Sequence, residues 1–192
     1  MGMTSFWEGK LSRTKHPSGD QHKVYLGVRI LQLAFALATV AVRPLRTGDY
    51  RMIKRIERES IDEYLLHLEE TGEKDTVASS VSGAYFGHYL KMGSSFVAEA
   101  DGKIVGYILS QPTSFLHSRR RELWLEYIVV LAKHRRKRIG SMLLTATEAW
   151  ARERNFDLLH TSLNPNNPES KGLLEKHGFD VKNWLIAQRV LK

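Results

Sequence analysis

Residues 133–138 (KHRRKR) place five formal positive charges in six positions, directly ahead of Ile139 and Gly140, where apolar residues begin to recur at helical spacing. A helix start presents backbone amides that lack intrahelical partners, together with the positive end of the helix dipole, and so makes a site for an anion such as phosphate. A glycine there lets an oxygen approach the backbone closely. Spacing alone leaves two readings, a phosphate site and a solvated basic turn. The second feature is Glu126, the one charge inside the apolar run 123–131 (LWLEYIVVL), which suits a central buried strand. The eight histidines form no HxxxH pair or tight carboxylate cluster, so no catalytic metal is expected. The chain has no cysteine, which excludes disulfides, a thiol nucleophile and thiolate zinc sites.

These features need a fold to position them. With 192 residues, 42% of them hydrophobic, the chain is long enough for one domain and a modest extension. Lys and Arg total 29 against 21 Asp and Glu, and the resulting charge of +8 points to an anionic ligand or partner. Residues 1–38 read as an extension and 39–192 as the domain. Residues 1–23 are polar and without apolar periodicity, as in a loosely attached tail. The charge-free run 30–42 spans 13 residues, whereas a membrane helix needs about 20, so no membrane span is expected. Upstream basic residues and Ala36-Leu37-Ala38 leave a signal-like segment as one reading, and a buried element leading into the domain as the other.

Within the domain, a first strand near residues 40–45 leads to helical spacing over 50–60 and again over 61–70, read as two helices, with a further helix over 75–91. Asp101-Gly102 between two apolar runs is a hairpin signal. Strand 123–131, helix 139–154, strand 158–163, helix 169–177 and strand-like residues 179–191 complete the chain.

Two blocks of residues, the loop 130–140 (VLAKHRRKRIG) and the segment 167–179 (NPESKGLLEKHGF), resemble motifs of the GNAT superfamily of acyl-CoA-dependent N-acetyltransferases. Its loop (Q/R)xxGx(G/A) follows a strand ending in valine. Here Val130 precedes a loop with Arg135 in the Q/R place, Gly140 in the last place and Arg138 where the family has its first glycine. Residues 167–179 (NPESKGLLEKHGF) are similar to NxxAxxLYEKxGF, with Asn167, Leu173, Glu175, Lys176, Gly178 and Phe179 matching. The resemblance implies an α/β (α+β) fold: a mixed, mostly antiparallel sheet with splayed central strands and helices on both faces. It implies acetyl-CoA as co-substrate, its pantetheine arm pairing with backbone around Ile128 and Val130. The amides and side chains of Arg135, Arg136, Lys137, Arg138, Ile139, Gly140 and Ser141 would hold the pyrophosphate, and Asn167 would touch the arm. Affinity should weaken as salt rises.

The implied reaction is direct attack of a primary amine on the thioester. A lysine amine costs about 4–5 kcal/mol to deprotonate at pH 7 and an α-amine about 1 kcal/mol, so a base matters more for the former. Glu126 stands where some family members have a glutamate base. Four residues before Val130, it is expected on the same strand face, desolvated by Leu125, Tyr127 and Ile128. The alternative is a strand-edge glutamate paired with Arg119, Arg120 or Arg121. The family's usual acid, a tyrosine, is replaced by Leu174. Tyr127, Tyr107 or a water would then protonate the thiolate, or it leaves unaided. Two other functions compete: an acyl-CoA-binding protein without turnover, and a nucleic-acid-binding module using residues 119–121 and 133–138 as a phosphate stripe. The acceptor, a small molecule or a protein amine, is left open. Nucleic acid is not the expected partner. A cytoplasmic monomer or homodimer is expected.

Overall fold

The computed structural model describes residues 40–71, 82–113, 120–164 and 166–181, so the expected extension 1–38 and most of the strand-like segment 179–191 lie outside the described residues. Strand β1 (Val40–Pro44) leads through a 3-10 turn (Thr47–Asp49) into α1 (Tyr50–Thr71); α2 (Gly83–Met92), β2 (Phe96–Ala100), β3 (Lys103–Thr113) and β4 (Glu122–Val130) follow. A second 3-10 turn (Ala132–His134) precedes α3 (Ile139–Glu153), β5 (Leu158–Thr161) and α4 (Pro168–Lys176).

The five strands lie in chain order, antiparallel up to β4, with β4 and β5 parallel. Asp101 and Gly102 both adopt positive φ, 50° and 70°, the twist that a two-residue hairpin loop requires. The two helices expected over 50–70 are one continuous helix. Nothing between Tyr50 and Thr71 is Gly or Pro, and Lys54–Glu57 and Arg55–Glu59 pairs tie successive turns. Of the further helix expected over 75–91, residues 75–81 lie outside the described residues; α2 is described from Gly83, with Ser82 accepting from the Tyr85 amide as its N-cap, and Gly93 closes it at φ 69°.

Helices cover both faces of the sheet. On one face Ala98, Ile108, Leu123 and Leu125 pack with Leu143 and Leu144 of α3 and Leu174 of α4. On the other, Val97, Tyr107 and Leu109 pack with Ile53 and Ile56 of α1 and Phe86 and Tyr89 of α2. Arg43 stitches the β1 edge, donating to both carboxylate oxygens of Asp49 at 2.8 Å and to Glu99 at 2.6 Å. Among the described residues no helix is long and apolar enough to cross a membrane, and no group of three or more His, Asp or Glu residues is placed to hold a metal ion.

Candidate active site

The β4–β5 ladder runs only from Glu122↔Leu158 to Leu125↔Thr161. Beyond Leu125 the outer edge of β4, residues 126–130, has no ladder partner among the described residues, so its backbone groups face the place where the two strands part. The expected splay is therefore a ladder that stops after four pairs.

Where the ladder stops, β4 is bulged. Tyr127 pairs with Leu109 and Leu125 with Ser110, leaving Glu126 as an extra residue. A bulge shifts the alternation of side chains by one. Leu123 and Leu125, then Ile128 and Val130, pack toward α3, while Val129 packs toward α1 and α2. Glu126 is thus turned away from the face of Val130, contrary to the expectation from its four-residue spacing. It is exposed beside Tyr127, itself 43% exposed, instead of desolvated by its flanks. Its contact is with β3, Gln111 Nε2 donating to Glu126 Oε2 at 3.5 Å, and Gln111 Oε1 lies 2.7 Å from His88 Nε2 on α2. Arg121 does not serve as its partner: that backbone amide donates to Asp157 and the guanidinium lies over Phe156. Arg119 lies outside the described residues.

At the end of β4, His134 and Arg135 amides close the 3-10 turn onto Leu131 and Ala132, and the helical ladder of α3 begins with the Met142 amide donating to Arg138 at 3.0 Å. The amides of Ile139, Gly140 and Ser141 precede that ladder, and the N-cap residue, Arg138, offers no side-chain acceptor to them. Arg138, in the motif's glycine place, adopts the left-handed conformation that glycine takes without strain (φ 62°, ψ 10°), and Arg136 shares it (φ 62°). The backbone thus follows the turn the motif needs, at the cost of strain in two arginines. Arg136, Lys137 and Arg138 are exposed around the turn, with Arg136 4.0 Å from Glu169. Partial burial, with Lys137 and Lys133 nearby, holds the pKa of His134 below its ordinary value.

Three of the residues assigned from the resemblance also have partners within the protein. A Cβ on Gly140 would stand 3.0 Å from Leu173 Cδ2, so the glycine allows the close approach of α4. The Arg135 side chain turns back along the strand, Nε donating to the Val130 carbonyl at 3.0 Å and its two terminal nitrogens to Glu63 of α1, one of them at 2.5 Å. The Asn167 carboxamide oxygen caps α4 by accepting from the Ser170 amide at 2.9 Å. Leu174, in the tyrosine place, is buried in the core. Of the tyrosines, Tyr107 is 1% exposed, and burial pushes its hydroxyl pKa up.

Several residues near the site carried no local sequence signal. Ile56, Glu59, Ser60 and Glu63 of α1, with Val129, Val130, Leu131 and Arg135, line a cavity of about 330 Å³ at the end of β4. At the other end of the strand, buried Glu122 lies 3.0 Å from His160, whose ring stacks on Trp124.

A family model described as the acetyltransferase (GNAT) family matches residues 54–179, more than half of the chain. The chain belongs to that family. The GNAT fold recurs in solved structures of low sequence identity. A transcriptional regulator from Bacillus halodurans is 18% identical with a TM-score of 0.63, the alignment covering 79% of this chain and all of the other. The aminoglycoside N-acetyltransferase AAC(6')-Iy in complex with CoA is 17% identical with a TM-score of 0.63, covering 79% and 95%. Arabidopsis thaliana Naa50, in complex with a bisubstrate analogue, is 16% identical with a TM-score of 0.57, covering 75% and 85%. No curated protein matches the chain significantly.

Proposed function

We propose that this GNAT protein transfers acetyl from acetyl-CoA to a primary amine by direct attack. The observation that carries the reading is the meeting, at one end of β4, of an unladdered strand edge with the uncapped start of α3. The edge at residues 126–130 offers backbone donors and acceptors to a pantetheine arm, and the amides of Ile139, Gly140 and Ser141 offer an anion site to its diphosphate. Those donors fit the group, and the exposed cations Arg136, Lys137 and Arg138 add attraction that salt should weaken. Acetyl-CoA supplies an acyl group activated as a thioester.

Glu126 projects where the strands part, on the side of α1 and α2, and takes the proton of the acceptor ammonium directly or through water. Gln111, donating to Oε2, steadies the carboxylate. With Leu174 in the core and Tyr107 enclosed, Tyr127 or a water returns a proton to the thiolate. A thiol pKa near 8.5 makes that step undemanding. The acceptor is a small-molecule amine, the class named in the aminoglycoside acetyltransferase structures of like fold. The exposed cations Arg136, Lys137 and Arg138 stand in the turn that opens α3, beside its uncapped amides, and this supports a cofactor reading over a nucleic-acid stripe.

Incubating the purified chain with acetyl-CoA and a panel of small amines and peptide N-termini, with mass spectrometry for acetylated product and a thiol assay for free CoA, tests the reading. Acceptor-dependent thiol release with a matching acetylated amine is expected. The buried Leu174 favours a second reading, an acyl-CoA-binding protein without turnover. Tight CoA binding with no thiol release across the panel would establish it.

A further inference from the structure

Arg135 holds the motif's first conserved-type place, yet its guanidinium is engaged on the protein itself. Nε donates to the Val130 carbonyl at the end of β4, and both terminal nitrogens reach the two oxygens of Glu63 in a fork. Planar forks of this kind fix orientation as well as charge. The pair joins the phosphate-loop segment to α1 across 72 positions of sequence, and both residues line the cavity between α1 and the end of β4. Glu63 is 46% and Arg135 33% exposed at the side chain, so water and other ions reach the pair. Glu63 therefore places a carboxylate on the one guanidinium that stands in the motif's Q/R place.

We propose that Glu63 is a positioning residue that competes with the cofactor's phosphate for Arg135. On binding, Arg135 exchanges the Glu63 carboxylate for a phosphate oxygen while Nε keeps its hold on Val130. The exchange loosens the tie between α1 and the loop, so occupancy of the phosphate site is felt by the helix that walls the cavity. The inference rests on the acetyl-CoA reading above.

The test is calorimetry of coenzyme A with the full chain at 50 and 300 mM KCl. Glu63→Gln should bind coenzyme A about twofold to fivefold more tightly at low salt, the size of a partly exposed ion pair's effect, with a smaller gain at high salt. Glu63→Asp keeps the charge but is one methylene shorter, which weakens the fork, and it should tighten binding by a smaller factor. Glu59→Gln is the control: Glu59 lines the same cavity but pairs with Arg55, at 2.9 Å, and its loss should give less than half the gain in affinity. Affinity of Glu63→Gln at or below wild type, or equal gains from Glu59→Gln and Glu63→Gln, overturns the exchange. If Glu63→Gln does not fold, Glu63→Asp decides, with unchanged affinity overturning the proposal. No heat from the wild-type chain would instead sink the acetyl-CoA reading itself.

Discussion

Gly140 at the start of α3 lies against Leu173 of α4, so close that a Cβ on Gly140 would stand 3.0 Å from Leu173 Cδ2. The two motif segments are therefore packed on each other, and the amides that open α3 are held in place by the helix that follows β5. Gly140→Val should cost about 1–3 kcal/mol by overpacking and lower Tm by roughly 2–4 °C per kcal/mol. Adding Leu173→Ala should recover part of that loss. A calorimetric melting series on the single and double variants reads both.

Arg138 adopts a left-handed backbone conformation that costs an L-residue about 1–2 kcal/mol and glycine nothing comparable. Less the about 0.5–1 kcal/mol that glycine's greater freedom in the unfolded chain costs, Arg138→Gly should raise Tm by roughly 1–4 °C. It should also weaken coenzyme A binding and flatten its salt dependence, because an exposed cation is lost from the turn. Opposite signs for stability and affinity are the signature, checked by melting and titration on one preparation.

Glu126→Gln should lower kcat about a hundredfold or more, mainly below the pKa of the accepted amine, with coenzyme A affinity close to wild type. The pH profile of kcat for an amine found in the panel measures this. Unchanged turnover across pH would remove Glu126 from the reaction.

Asp49 ties the 3-10 turn to β1. Burial pushes its carboxyl pKa up, but hydrogen bonds from Arg43 and the Arg46 amide outweigh burial and hold it below the ordinary value. A depressed folded-state pKa contributes stability that is complete above the unfolded value, near 3.9, and lost as pH falls through the folded one. Asp49→Asn should thus lower Tm at pH 7 by several degrees, for about 1–3 kcal/mol, and the gap to wild type should narrow progressively as pH falls below about 3.9. A gap of constant size from pH 7 to pH 3 would contradict the linkage.

What was legible in the sequence depended on whether the signal was local. The Asp101-Gly102 turn, the apolar run of β4 and the basic turn before α3 announce themselves within a few residues, and the structure has the hairpin, the central strand and the helix start. The face of Glu126 did not, because one inserted residue reverses the alternation, and the register that creates the bulge is set by Ser110 and Leu109 on β3. The engagement of Arg135 was equally hidden, since its partner Glu63 lies on another helix. Ser60 reads as a boundary between two helices, but serine inside a helix costs only a fraction of a kcal/mol and the residues after it include neither Gly nor Pro, so α1 runs through it.

The central claim is that the amides opening α3, together with the free edge of β4, form one binding surface for the cofactor. The direct measurement is a coenzyme A titration of ¹⁵N-labelled chain followed by backbone amide NMR. The account predicts saturable shifts, sharing one Kd, for Ile139, Gly140 and Ser141 and for residues 126–130. Saturation elsewhere while these amides stay still, or no saturable shift at low salt, would contradict it.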